Sequence, residues 1–245
     1  MTPDWLLIGA VFVLGGVVKG VTGMGLPTVA MGLLGALMSP LAAATLLIVP
    51  SFVTNVWQLL AGPDFRVLAR RLWPMMAAIL VATILGGSVL AAGDTRATTA
   101  ALGAALVLYA GHALVARPLA VPARLEPWLS PAVGAATGLV TGGTGVFVIP
   151  AVPYLQALGL GKDDLVQALG LSFTVSTLAL AVGLGGRGAV GTGSLWASAL
   201  AVLPALAGMA LGQAVRARIS PARFRRWFLV CLLLLGAEML SRPFR

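Results

Sequence analysis

The sequence predicts an all-α polytopic membrane protein made of two inverted repeats, each an interrupted, re-entrant helix pair followed by three transmembrane helices. Three observations carry that prediction. The 245-residue chain is 59% hydrophobic and only 9% charged, with a mean hydropathy of +1.01, whereas a soluble domain of this length needs far more charge to cover its surface. Its apolar residues fall into blocks of roughly 20, the length that crosses a ~30 Å hydrocarbon core at about 1.5 Å per residue. Two blocks are interrupted by glycine, threonine and proline in a similar order.

In chain order there are eight apolar blocks, at about 5–38, 42–60, 73–92, 97–116, 130–157, 166–185, 194–215 and 227–241. The opening MTPDWLLIGA lacks a basic stretch before its apolar run, so no cleavable signal peptide is expected. The first block is too long for one span and is interrupted over residues 15–27, around KGVTGMGLP. The fifth is interrupted over 137–150, TGLVTGGTGVFVIP. VTGMG at 21–25 resembles VTGGTG at 140–145 with one residue inserted, Ser51-Phe52 recurs 121 residues on as Ser172-Phe173, and Gly87 and Gly208 share that spacing. The repeats are therefore drawn at 1–120 and 121–245, within one integral membrane domain.

Loop charge tests the topology. If all eight blocks cross once, loop Lys and Arg divide 7 to 8 between the two sides, which is no bias. If each broken block enters and returns, one side holds Arg66, Arg70, Arg71, Arg117, Arg124, Lys162, Arg216, Arg218, Arg223, Arg225 and Arg226, and the other only Arg96, Arg187, Arg242 and Arg245. The positive-inside rule selects the second arrangement, with the basic side cytoplasmic and both termini outside. Three full crossings per repeat then make the two halves inverted. The net charge of +9 is thereby assigned to topology, and no basic stripe interleaved with aromatics points to nucleic acid. A lone Cys231 excludes an intramolecular disulfide, and one His and one Cys leave no zinc site.

The broken segments carry the candidate chemistry. A helix ending inside the membrane leaves backbone groups unpaired, which is tolerated only inside protein or a water-filled cavity. Glycines permit the turn and a close approach to a ligand, and proline suits the first turn of the resuming helix. Gly20, Gly23 and Gly25, then Gly142, Gly143 and Gly145, are the candidate ligand-facing glycines, with Thr22, Thr141 and Thr144 as hydroxyl donors. N–H groups at the start of a resuming helix would make an anion site. The competing reading is that these small residues are helix-packing surfaces.

Lys19 is the one Lys or Arg expected deep in the bilayer. An ammonium there costs at least ~2.5 kcal/mol unless paired or hydrated, so it is a functional candidate unless it snorkels to the interface. No carboxylate is near it in sequence, which leaves a substrate anion as its partner. Ser51, Asn55 and Gln58 share one helical face, as do Ser172 and Ser176, with Thr174 and Thr177 nearby. Asn55, Gln58, Ser172 and Ser176 join the candidate substrate-binding set, against the alternative of interhelical glue.

GGVVKGVTGMGLPTVAMGLL at 15–34, PSFVTNVWQLL at 50–60 and GLVTGGTGVFVIPAVPYLQALGLGKDDLVQALGLSF at 138–173 resemble the TauE/SafE family of sulfite exporters and anion permeases. The resemblance spans essentially the whole chain. It implies a prokaryotic inner-membrane carrier of small anions, sulfite, sulfonates and other organosulfur acids among them, with VTGMGLP and VTGGTGVFVIP as the central site. It departs from the common first segment, which ends in more glycines, and so implies a substrate that need not be sulfite.

The expected mechanism is alternating access around two broken helices meeting near the midplane. A passive anion channel and a non-transporting assembly subunit are the alternatives, and a homodimer is left open. No enzyme activity and no cofactor is expected.

Overall fold

The computed structural model describes residues 4–92, 94–115, 120–216 and 218–242. Among them are eleven helices and no strand. The first apolar block becomes α1 (Trp5–Thr22) and α2 (Leu26–Leu37), followed by α3 (Pro40–Leu60), α4 (Phe65–Ala91) and α5 (Thr95–Val115). The fifth block becomes α6 (Glu126–Thr144) and a short α7 (Ala151–Ala157). Then come α8 (Lys162–Gly185), α9 (Thr192–Leu200), α10 (Val202–Arg216) and α11 (Pro221–Ser241). Six segments are long and apolar enough to cross a membrane: α1, α3, α4, α5, α8 and the α9–α10 rod. The chain is a polytopic membrane protein.

Several helices outrun their apolar blocks. α4 starts at Phe65 rather than 73, α8 at Lys162 rather than 166, and α11 at Pro221 rather than 227. The added turns carry Arg66, Arg70 and Arg71, then Lys162, Asp163 and Asp164, then Arg223, Arg225 and Arg226. An apolar run measures only the hydrocarbon, whereas a helix continues into the interface, where long basic side chains reach water.

Both broken blocks fold back on themselves. Asp4 caps α1, its carboxylate accepting from the N–H groups of Leu6 and Leu7. α1 ends at Gly23 with φ +78°, the left-handed region a C-terminal cap requires, and Gly25 at φ +110° completes the reversal. Pro27 sits in the first turn of α2, where no donor is needed. α2 then returns beside α1, with Gly25 against Val18 and Leu26 against Gly15. In the second block Gly145 (φ +72°) ends α6, and residues 146–148 run non-helically with Val146, Phe147 and Val148 fully buried. That burial inside protein is what permits such backbone at membrane depth. Tyr154 of α7 comes back to the root of α6, its hydroxyl 2.7 Å from that of Ser130, and the Val121 N–H donates to Ala157 O at 2.9 Å.

The breaks are narrower than the sequence suggests: residues 23–25 rather than 15–27, and 145–150 rather than 137–150. Gly15, Gly16 and Gly20 are helical, as are Gly138, Gly142 and Gly143. Most of these glycines serve close helix approach. Gly16 lies on Ala205, Gly208 and Met209, and Gly20 on Met209, Gly212 and Gln213, so α1 and α10 run parallel in contact. α6 packs on α4 in the same way, Gly138 on Ile79, Ala82 and Thr83, and Gly142 on Thr83, Gly86 and Gly87. Small residues let two backbones approach where lipid supplies no hydrophobic drive.

α3 and α8 cross antiparallel at the centre. Asn55 and Leu59 of α3, and Gly62 just beyond it, meet Thr177, Gly170 and Gln167 of α8. Loops 61–64, 120–125, 158–161 and 218–220 gather at one end. A bidentate Arg71–Glu126 pair (2.7 and 2.8 Å) joins the roots of α4 and α6, and Gln167 accepts from Asp64 N–H and donates to Leu59 O. All the basic residues assigned to the richer side lie there, except Arg117, which is outside the described residues. At the opposite end Arg242 donates to Ala36 O, and Arg187 reaches Gly183 O beside Gly87. Arg245 is outside the described residues.

Candidate anion site

α1 has 18 residues and α6 has 19. At 1.5 Å per residue each spans roughly 27–29 Å, close to a full hydrocarbon thickness. The two reversals therefore do not meet at the midplane. Gly23 sits beside Val166, one turn into α8 from the basic end, whereas Gly142 and Gly143 sit beside Gly86, Gly87 and Val89, close to the opposite end of α4. The first arms are nearly whole spans, so each break falls past the middle.

A cavity of about 440 Å³ opens beside the first reversal. Lys19, Gly20, Thr22 and Gly23 line one wall, Gln58 of α3 and Val166 of α8 another, and Met209 and Gln213 of α10 a third. Gly62, Asp163 and Arg216 line it toward the basic end. Of the sequence-derived candidates, Lys19, Gly20, Thr22, Gly23 and Gln58 come together here.

Lys19 is 3% exposed and does not snorkel. It lies one turn before the Gly23 cap and level with Met209, about two turns from Arg216, because Gly20 packs between Met209 and Gln213. Its ammonium donates to Thr54 Oγ1 at 3.3 Å and to Asn55 Oδ1. Asn55, fully buried, passes its own amide N–H toward Thr177 Oγ1 at 3.4 Å, so Lys19 is tied to the α3–α8 crossing. Among the described residues Lys19 has no ion-pair partner. An ammonium has three protons; two are used on neutral oxygens and the third is left for the cavity.

The helix ends differ from the expectation as well. The cavity is lined by the C-terminal end of α1, whose last turn is closed by Gly23 N–H on Lys19 O at 2.7 Å. The start of α2, Leu26 and Pro27, is buried in packing and outside the lining. The positive charge at the site thus comes from side chains, Lys19 at the inner wall and Arg216 toward the basic end, rather than from the N–H groups of a resuming helix. Thr22 helps shape the turn, its hydroxyl donating to Val18 O or Met24 O and accepting from Met24 N–H.

The remaining candidates lie elsewhere. Gly25 packs on Val18 and Phe228. Thr144 shapes the second turn as Thr22 does the first, with Val140 O and Val146 N–H as partners, and Thr141 bonds to Thr137 O. Gly142 packs on α4, Gly143 has open space, and Gly145 faces Met31. Ser172 and Ser176 are fully buried in α8 with hydroxyls that meet no protein partner, outside the lining of this cavity. Sequence reasoning did not single out Thr54, Gln213 or Arg216 for the site. Gln213 carried a signal, being an amide within an apolar block.

A bundle of membrane-length helices, two hairpins that turn back on themselves and a cavity with one buried ammonium at its wall define a multi-pass membrane protein. The chain belongs to the sulfite exporter TauE/SafE family of membrane transporters, whose model matches residues 7–239. No curated protein and no solved structure matches it.

Proposed function

We propose that the protein carries small anions, sulfite, sulfonates or related organosulfur acids, across a prokaryotic cytoplasmic membrane by alternating access. The observation that carries this reading is Lys19: a cation buried at the inner wall of a cavity, hydrogen-bonded only to neutral groups, with a donor to spare. A buried ionisable residue in a membrane protein marks a substrate or ion path unless a protein charge partners it. Lys19→Gln removes the charge and keeps a hydrogen-bond donor, on a side chain one bond shorter. It is expected to weaken anion binding and proteoliposome uptake by about tenfold to a hundredfold, the value of a charge-assisted hydrogen bond. Wild-type uptake by the variant would defeat the reading. A passive channel would instead show unitary currents without saturation.

Alternating access rests on an inverted pair of repeats, 1–120 and 121–245. Reciprocal packing supports it: α1 on α10 mirrors α6 on α4, and α3 crosses its counterpart α8 antiparallel. The matching glycines, Gly16 with Gly138 and Gly20 with Gly142, are 122 apart, and the residues they touch, Gly208 with Ala82 and Gly212 with Gly86, are 126 apart. The hairpins thus align with one offset and the α4 and α10 helices with another, so that Gly208 corresponds to Ala82 rather than to Gly87.

The excess of arginine at one end supports a cytoplasmic position for that end, with both termini outside. In a Cys231→Ala background, single cysteines at Arg70 and Arg223 should both label from the cytoplasmic face of oriented membranes. Labelling from opposite faces would sink the inverted arrangement.

A further inference from the structure

Gln58 extends this reading to the kind of anion carried, and rests on it. The residue is 7% exposed and lines the Lys19 cavity. Its amide nitrogen donates to Val166 O at 2.9 Å. A backbone carbonyl can only accept, so this bond sets which way the amide faces. The other amide atom, Oε1, is buried and has no protein partner. Two complementary unused groups thus belong to side chains that line the cavity, the third proton of the Lys19 ammonium and the Gln58 carbonyl oxygen.

The side chains that carry these groups are near neighbours. Lys19 is held at Asn55, and Asn55 and Gln58 are three residues apart on α3, neighbours on one helix face with Cβ atoms about 5–6 Å apart. An anion with acceptor atoms alone would answer Lys19 and leave the Gln58 oxygen without a donor. A ligand bearing an ammonium would supply the donor but set a second cation beside Lys19, where like charges repel.

The geometry points to a hydroxyl-bearing small anion as the preferred substrate, its acid group on Lys19 and its hydroxyl, two or three bonds away, donating to Gln58 Oε1. Gln58 is then a specificity-determining residue and Lys19 the charge anchor.

The test compares dissociation constants of purified protein for ethanesulfonate and 2-hydroxyethanesulfonate, which differ by one hydroxyl. Wild type should bind the hydroxylated sulfonate about tenfold more tightly, the effect of leaving one buried acceptor unmet. Gln58→Met should collapse that ratio toward one. The wild-type ratio is decisive even if the variant fails to fold. Equal affinities for the two sulfonates, both weakened by Lys19→Gln, would overturn the hydroxyl inference and leave the carrier reading standing. A ratio that survives Gln58→Met would overturn the role of Gln58. Binding of neither sulfonate would overturn the carrier reading and this inference with it.

Discussion

Asn55→Asp is expected to weaken anion binding and uptake at least tenfold while the protein melts no lower than wild type. The substitution is nearly isosteric, and it replaces the neutral acceptor on the Lys19 ammonium with a carboxylate. Thr54 Oγ1 still accepts from the Lys19 ammonium, and Thr177, which accepts from Asn55 in the wild type, can turn its hydroxyl proton from Phe173 O to the new carboxylate oxygen. Both charges are then hydrogen-bonded, the condition under which a buried ion pair is tolerated. The site's unpartnered positive charge, however, is gone. An incoming anion meets a neutral pair instead of a free cation, and affinity should fall at least tenfold, by analogy with a lost charge-assisted bond of about 1.5–3 kcal/mol. Asn55→Leu separates the two effects, because it strips the ammonium of its main acceptor and should lower both stability and transport. Normal transport by Asn55→Asp, measured beside its melting curve, would show that Lys19 charge does not recruit the substrate.

Gly142→Val should cost about 3 kcal/mol of stability, whereas Gly143→Ala, one residue on, should be neutral or slightly stabilising. A Cβ at Gly142 would lie 2.6 Å from Gly86 C, Gly87 N and Thr83 O, all backbone atoms of α4 that no rotamer change can move. Overpacking against backbone forces two helices apart, at about 1–3 kcal/mol or more. At Gly143 the nearest atom is Val89 Cγ1 at 3.9 Å, and alanine is the better helix former. Melting temperatures in one detergent would compare the two. Equal tolerance at both positions would contradict the close packing of α6 on α4.

That pair of neighbours shows where sequence reading stops. Both glycines belong to VTGGTG, and both look like ligand-facing residues beside a break. The distinction between them is which atom of α4 lies opposite, and α4 is more than fifty residues away in the chain. Lys19 is the opposite case. A lysine inside an apolar block has no inexpensive location in a bilayer, so its importance was legible from position alone. Its partners were less so: Asn55 stood out as a polar residue on an apolar helix, but Thr54 did not, and no local pattern joins Gln213 to either. The expected meeting of the broken helices failed for a countable reason. The sequence marks the glycine-rich stretch, but close packing claims its first half, which leaves α1 and α6 long enough to carry their breaks to opposite ends.

Composition and order alone determined that this chain crosses a membrane, that two of its apolar blocks turn back, and that one cation is buried within it. Those are local consequences of hydropathy, of glycine and proline geometry, and of the cost of charge in hydrocarbon. The tertiary structure alone decided which glycines carry the turns and which seat one helix on another. It also decided that the two reversals lie at opposite ends, and that the first of them opens on a cavity shared by α1, α3, α8 and α10. Each of these depends on the atoms brought opposite one another by helices distant in sequence, and apolar helices in lipid are sorted by close fit, which hydropathy does not record.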